Sequence, residues 1–199
     1  MSEQENKIRL ALRDVLNSYY TLSDETVESI YNITTFLTVK KNDYLCRSNE
    51  LQTGFYFVGS GLFRLFIIDE KGDEYNKNFF KENTLTGSIV ALLKNEPSSF
   101  EIQALEDSVV LHIDFKEYRK LLLVKEDLKL FHIFYLEKNW VIIKDYREVS
   151  IVQQDAQDRY EEFLEEQPEL SKRLTQYHIA SHLGITPTQL SRIRKKIFI

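Results

Sequence analysis

The sequence predicts an α+β fold in which a small β-sandwich or barrel lies between helical segments. From about residue 33 to 115, short runs of aromatic and β-branched residues alternate with turn clusters, as is typical of closely spaced strands. Residues 5–32 and most of 117–197 instead carry apolar residues at helical spacing. The length of 199 residues allows one or two domains with a sizeable core.

The N-terminal segment predicts two helices within residues 5–32, broken near Tyr19–Ser23, where Ser23 or Asp24 can cap the second helix. In the β region, alternate residues from Val109 to Phe115 are apolar, which indicates a half-buried strand. This alternation is expected to turn His112 towards solvent.

Residues 117–150 predict a long helix with apolar residues on two faces. The first stripe has spacings of three and four and contains Leu128, Phe131, Tyr135, Asn139, Ile142, Tyr146 and Val149. The second stripe contains Leu130, Ile133, Phe134, Trp140 and Val141. Such a helix needs two partners, so we expect one face to cover the β region and the first stripe to form a homodimer seam, with Asn139 setting the register. Burial of both stripes within one chain is the alternative.

The C-terminal segment predicts a helix near Asp155–Glu166 followed by two short helices around a turn. Thr175 can cap the first short helix, and Gly184 suits the left-handed position at its end. The second begins with a Thr-x-x-Gln capping box at Thr186–Gln189. With apolar residues facing each other across the turn, the pattern is typical of a helix-turn-helix, whose second helix enters the major groove of DNA.

The C-terminal end of this acidic chain is positively charged. Residues 171–199 contain six Lys and Arg and no acid, whereas the net charge of the whole chain is −5. A compact cationic surface favours the phosphate backbone of nucleic acids. The residues predicted to read bases are Thr188, Gln189, Ser191, Arg192 and Lys195. The predicted phosphate contacts are Lys172, Arg173, Arg194 and Lys196. A helical hairpin with a solvated basic face is the alternative.

Other function classes find little support in the sequence. The single cysteine, Cys46, excludes an intramolecular disulfide and a metal site built from cysteines alone. No HExxH, P-loop, dinucleotide fingerprint or nucleophile elbow is found, so we expect no enzyme activity, no metal and no cofactor. His178 and His182 have the spacing of a metal pair, but we expect them to face solvent or phosphates. No apolar run reaches membrane-spanning length and no signal peptide is found, so a cytoplasmic protein is expected.

The order of these elements resembles a known family. In the β region the resemblance is carried by Phe55–Gly61 with the strand Leu62–Ile68, the turn Asp69–Gly72, Gly87 and Ala104–Ser108. Together with the long helix and the helix-turn-helix, these segments resemble the bacterial transcription regulators of the CRP/FNR superfamily over residues 5–197. The resemblance implies a cyclic-nucleotide-binding-like β-roll flanked by helices in residues 1–149, including a dimerisation helix at about 117–149. It also implies an all-α helix-turn-helix domain in residues 150–199.

The effector pocket departs from the family pattern. Nucleotide-binding members carry a Gly-Glu pair and, about ten residues later, an Arg-Ser or Arg-Thr pair, which anchor the ribose hydroxyl and the cyclic phosphate. Here the two pairs read Gly87-Ser88 and Ser98-Ser99. Two lost charge-assisted hydrogen bonds imply a penalty of about 3–6 kcal/mol, or roughly 10²–10⁴ in affinity. We therefore expect a vestigial pocket that does not bind cyclic AMP or GMP in the usual way; whether another effector binds stays open.

The sequence thus predicts a homodimeric, sequence-specific regulator that binds an inverted repeat in double-stranded DNA and acts independently of cyclic AMP. RNA polymerase is a further expected partner, and a membrane is not. The alternative is a small-molecule receptor domain that acts through protein contacts, with DNA binding lost or secondary. Failure to bind any DNA, together with a ligand-dependent thermal shift, would favour that alternative.

Overall fold

Helices at both ends of the chain surround a β-roll in the computed structural model, which describes residues 2–197. The helices are α1 (Glu3–Asn17), α2 (Asp24–Tyr31), α3 (Ile89–Lys94), α4 (Phe115–Val124), α5 (Glu126–Leu136), α6 (Ile143–Gln153), α7 (Ala156–Glu166), α8 (Pro168–Arg173), α9 (Gln176–Leu183) and α10 (Pro187–Ile197). The strands are β1 (Thr34–Val39), β2 (Tyr44–Cys46), β3 (Gly54–Ser60), β4 (Phe63–Ile68), β5 (Glu74–Phe80), β6 (Leu85–Thr86), β7 (Glu101–Ala104) and β8 (Ser108–Asp114). Within residues 2–197, every helix is too short or too polar to cross a membrane.

The β-roll consists of two four-stranded antiparallel sheets with strand orders β1-β8-β3-β6 and β2-β7-β4-β5. Apolar side chains from both sheets fill its interior, among them Val58, Phe63 and Ile102. The turn between β3 and β4 requires glycine at position 61. Gly61 has a φ of +97°, and a Cβ there would lie 2.0 Å from Ser108 Oγ.

The N-terminal helices pack on the outer face of the first sheet. Ser23 Oγ accepts a hydrogen bond from Thr26 N, which confirms the predicted start of α2. Leu12 of α1 and Leu111 of β8 belong to the same fully buried cluster. Because this sheet is covered by helices on one face and by the roll interior on the other, β8 is buried on both faces.

His112 is affected by this two-sided burial. It is half-buried, and its ring lies 5.3 Å from the ring of Tyr56, centroid to centroid. The expectation that His112 faces solvent is therefore wrong, because alternation along a strand indicates two faces but not whether the second face is covered.

The long helix begins later than predicted, and the side chains of its first stripe have different contacts from those expected. Lys125 has extended backbone angles, which separates α4 from α5, and a π-helical segment, Glu137–Ile142, joins α5 to α6. Leu128 and Phe131 are buried in the core of their own chain. Tyr135 packs against Tyr19, with ring centroids 5.2 Å apart.

Asn139 completes these contacts within the chain, since its Nδ2 donates to the hydroxyl of Tyr19 (3.1 Å) and to the carbonyl of Tyr135 (2.9 Å). The predicted seam is therefore wrong for Leu128 and Phe131, which lie in the core of their own chain, whereas Tyr135 and Asn139 are half-buried against Tyr19 in the loop between α1 and α2. The remaining seam residues, Ile142, Tyr146 and Val149, are exposed. The second stripe is exposed as well: Leu130, Ile133, Phe134, Trp140 and Val141.

Helices α7–α10, residues 156–197, form a compact group that we call the helical unit. Asp155 caps α7 with a capping box, as its position before the helix indicates. Helix α6 continues across residue 150, where the sequence analysis placed the domain boundary, and ends at Gln153. Leu62 and Phe79 of the β-roll belong to the same buried cluster as the apolar residues of the helical unit. The helical unit is thus docked on the β-roll of its own chain.

Replacing Leu128 by alanine tests its reassignment to the core. Leu128 is fully buried, so Leu128→Ala is expected to lower the free energy of unfolding by about 2–5 kcal/mol in urea denaturation. The control Val152→Ala, at a side chain that is 84% exposed, is expected to change it by less than about 0.5 kcal/mol. Loss of dimerisation by Leu128→Ala without loss of stability would contradict the reassignment.

Candidate nucleic-acid interface

Helices α9 and α10 form a tight helix-turn-helix. Ala180 and Leu190 are fully buried where the two helices cross. Gly184 adopts the left-handed conformation at the end of α9 (φ +69°), and Ile185 N donates to Ala180 O (3.0 Å). Thr175 Oγ1 accepts from His178 N at the start of α9. These contacts confirm the caps and the turn that the sequence predicts.

The capping box at the start of α10 is reciprocal. Thr186 Oγ1 accepts from Gln189 N (3.2 Å), and Gln189 Oε1 accepts from Thr186 N (2.9 Å). This fixes the first turn of the helix. It also occupies the carboxamide oxygen of Gln189, which a bidentate contact with adenine would need.

The predicted base-reading residues lie on the outward side of α10. Leu190 anchors the opposite side in the core, with Ile193 and Ile197 packed around it. Thr188, Gln189, Arg192, Lys195 and Lys196 are exposed, and Ser191 and Arg194 are partly buried. The helix therefore presents one continuous polar and cationic face.

Arg173 has a different environment from the one predicted. Its guanidinium donates to both carboxylate oxygens of Glu106 (3.0 and 2.7 Å) and to both of Glu82 (2.8 and 3.0 Å). The hydrogen bonds with Glu106 and Glu82 raise the pKa of Arg173 above its ordinary value. The assignment of Arg173 as a phosphate contact is wrong for this conformation, because its hydrogen-bonding edge faces the β-roll. Lys172 is exposed, and its Nζ pairs with Glu169 (2.7 Å).

Helix α9 covers the open edge of the second sheet. β5 is the last strand of that sheet, so its outer backbone groups need partners. Ser181 Oγ donates to Glu74 O (2.7 Å) and accepts from Asn76 N (3.0 Å). Asn76 is fully buried, and its Nδ2 donates to His178 O (3.3 Å). Side chains and backbone of α9 thus continue the hydrogen bonding of the sheet.

His182 lies inside this contact. Its Nδ1 is 2.9 Å from Asn76 O, and its ring lies 5.2 Å from the ring of Phe79 and 5.9 Å from that of Phe163, centroid to centroid. Burial and, secondarily, the charge of Arg147 lower the pKa of His182 to about 4. His182 is therefore neutral at pH 7, and Nδ1 carries the proton that it donates to Asn76 O.

The two histidines of α9 thus face β5, and the expectation that they face solvent or phosphates is wrong. His178 Nδ1 lies 3.5 Å from Asn76 Nδ2, and burial lowers the pKa of His178. Within residues 2–197, no group of three or more His, Cys, Asp and Glu side chains has the arrangement of a metal site.

At the predicted effector pocket, two buried serine hydroxyls form a hydrogen bond with each other. Ser88 and Ser98 are buried, and their Oγ atoms are 2.8 Å apart. Gly87 lies beside them, and a Cβ at this position would be 2.8 Å from Phe55 Cβ. Ser99 is exposed and lies outside the cluster. The structure therefore brings Gly87, Ser88 and Ser98 together and leaves Ser99 out.

Sequence analysis missed Glu82, Glu106 and Asn76. Glu82 lies in the turn between β5 and β6, and Glu106 lies in the turn between β7 and β8. Polar residues are common in turns, so neither glutamate stands out locally. The only indication in the sequence is indirect: because the whole of α9 lies between Arg173 and the cations of α10, Arg173 need not share their surface.

The buried His182 predicts that stability decreases in mild acid. The unfolded chain protonates this histidine near its ordinary pKa of 6.5, whereas the folded chain protonates it only near 4. Its contribution is therefore complete above about pH 6.5 and is lost as the pH falls towards 4. Between pH 7.5 and 5.0 the loss is about 2 kcal/mol of unfolding free energy, measured by urea denaturation at each pH. The His182→Gln variant is expected to lack this part of the slope; equal slopes in both proteins would contradict the burial of a neutral His182.

Comparisons with known proteins agree with this fold. Residues 36–124 match the cyclic nucleotide-binding domain family. No curated protein matches the sequence significantly. Among solved structures, the chain is similar to the c-di-GMP-responsive global regulator CLP of Xanthomonas campestris, with 12% identity and a TM-score of 0.70 over 88% of this chain and 91% of that one.

Two further solved structures give the same picture. FixK2 of Bradyrhizobium japonicum has 16% identity and a TM-score of 0.69 over 83% of this chain and 85% of that one. A protein of Eubacterium rectale, described as a transcriptional regulator of the CRP/FNR family, has 19% identity and a TM-score of 0.63 over 88% and 83%. Residues 36–124 therefore resemble the cyclic nucleotide-binding domain family, and the chain has the fold of solved transcription regulators of the CRP/FNR type.

Proposed function

We propose that the chain is a homodimeric, sequence-specific DNA-binding transcription regulator that acts without cyclic AMP. The observation that carries the proposal is the outward face of α10. Its apolar side is anchored in the core by Leu190, while Arg192, Lys195 and Lys196 are exposed on a helix of the type that enters the major groove.

Base reading is assigned to the outward residues of α10. Arg192 is the strongest candidate, because an exposed guanidinium can donate two parallel hydrogen bonds to guanine. Thr188, Ser191 and Lys195 are assigned supporting contacts. Gln189 keeps the hydrogens of its Nε2 amide for a base, although its Oε1 accepts from Thr186 N. Phosphate contacts are assigned to Lys172, Arg194 and Lys196.

A second copy of the chain is the proposed partner of the exposed apolar face of α5, the π-helical segment and α6. Ile133, Phe134, Trp140 and Val141 expose large apolar side chains along this face. A contiguous exposed apolar surface of this kind marks an interaction site. In a twofold dimer, two recognition helices would read inverted half-sites about 10 base pairs apart, centre to centre.

Independence from cyclic AMP is proposed from the chemistry of the pocket. Ser88 and Ser98 stand where nucleotide-binding relatives have a carboxylate and a guanidinium, and the two hydroxyls bond to each other. A cyclic phosphate would have to break this pair and would find no cation from either residue. A small-molecule receptor that acts through protein contacts is the competing function, in which DNA binding is lost or secondary.

Selection of bound duplexes from a random DNA pool tests the function directly. Full-length protein without added ligand is expected to recover an inverted repeat. Arg192→Ala is then expected to lose about 1–3 kcal/mol on the recovered repeat and to relax one base position, whereas Lys196→Ala weakens all sequences equally. Equal losses on specific and random DNA for Arg192→Ala would contradict its role, and recovery of no DNA would favour the receptor.

Cyclic AMP is expected to leave the protein unchanged. At about 1 mM nucleotide, a ligand with micromolar affinity would stabilise the folded state by about 4 kcal/mol and raise the melting temperature. We expect no shift with cyclic AMP relative to AMP, which lacks the cyclic phosphate. A saturable rise that is specific to cyclic AMP would contradict the assignment of Ser88 and Ser98.

A further inference from the structure

The helical unit is docked on the β-roll without covering its recognition face. The contact uses the side of α9 that carries Ser181 and His182, while α10 faces away with Arg192 and Lys195 exposed. Docking and DNA contact therefore use different surfaces of the same unit. In the docked arrangement, the outward face of α10 is therefore exposed.

The chain connection alone does not orient the helical unit. Only Gln154 and Asp155 separate α6 from α7, and both have extended backbone angles. Rotation about these two residues would move α10 over a wide arc. The orientation of the recognition helix must therefore come from contacts of the helical unit with the rest of the chain: α6 contributes Tyr146 and Arg147, and the β-roll contributes the larger contact.

Arg173 is the charged centre of those contacts. Its guanidinium joins the β5–β6 turn, through Glu82, to the β7–β8 turn, through Glu106. Glu82 Oε1 also accepts from Gly61 N (2.9 Å), so the β3–β4 turn is tied to the same point. A planar guanidinium held by two carboxylates constrains direction as well as distance.

We propose that Arg173, Glu82 and Glu106 form a positioning latch that holds the recognition helix in the orientation that binds an operator. The proposal rests on the proposed DNA-binding function. A dimer that reads two half-sites must present both recognition helices at one spacing. A latched unit has lost its rotational freedom before DNA arrives, so less entropy is lost on binding.

When the two carboxylates are removed, the latch predicts weaker DNA binding and simple electrostatics predicts stronger DNA binding. Removing two carboxylates from a chain with a net charge of −5 would strengthen DNA binding if only charge mattered. If Glu82 and Glu106 position the helical unit, their removal weakens binding to the operator instead. Glutamine keeps one oxygen acceptor, which at position 82 can still bind Gly61 N, while it removes the charge and replaces the second acceptor oxygen by an NH2 group that cannot accept from Arg173.

The experiment compares full-length wild type, the double variant Glu82→Gln/Glu106→Gln, and the control Glu165→Gln/Glu166→Gln. The control removes the same charge from exposed positions of α7. Each protein is titrated with the wild-type-selected operator and with a random duplex of equal length. The latch variant is expected to bind the operator about tenfold or more weakly, with binding to the random duplex unchanged or stronger. The control is expected to show no weakening on either duplex.

If the double variant is unstable in thermal unfolding, the Arg173→Lys variant provides a second test of the latch. Lysine keeps the charge but cannot bridge two carboxylates as a planar fork, so operator binding is expected to fall while random-duplex binding is retained. Equal weakening on both duplexes would make Arg173 a phosphate contact and overturn the latch. Wild-type affinity of Glu82→Gln/Glu106→Gln for the operator would also overturn it. If the wild type selects no operator, the proposed function fails first and the positioning role fails with it.

Discussion

The contact between α9 and the edge of β5 determines how the rest of the molecule is arranged. A strand edge inside a protein leaves backbone groups without partners, and here Ser181 and His182 supply them. Leu62 and Phe79 extend the contact into a shared apolar core. Because the helical unit completes the edge of the second sheet of the β-roll, the two form one structure in the free protein.

In this arrangement the basic residues of the C-terminal end have two different environments. Arg173 is held by carboxylates of the β-roll, and Lys172 pairs with Glu169 on the surface of α8. The cations of α10 remain on the outward face. The exposed cationic surface is therefore smaller than the charge of residues 171–199 suggests, and it is concentrated on α10.

Local features of the fold were predictable from the sequence, and long-range partners were not. The caps of α2, α9 and α10 and the turn at Gly184 depend on neighbouring residues, so the printed sequence is sufficient to predict them. The first stripe of the long helix was correctly recognised as apolar, but Leu128 and Phe131 were assigned the wrong partner, because helical periodicity does not identify what covers a face. Glu82, Glu106 and Asn76 meet residues about 70–105 positions away, and only the fold brings them together.

Hydrogen exchange of the free full-length protein tests this account most directly. Opening free energies are obtained for individual amides, including Asn76 N, which donates to Ser181 Oγ. If the helical unit and the β-roll form one structure, amides of β5 and of α7–α10 are expected to be protected to the same degree and to open together. Rapid exchange throughout α7–α10, with the amides of β3, β4 and β8 still protected, would contradict the account.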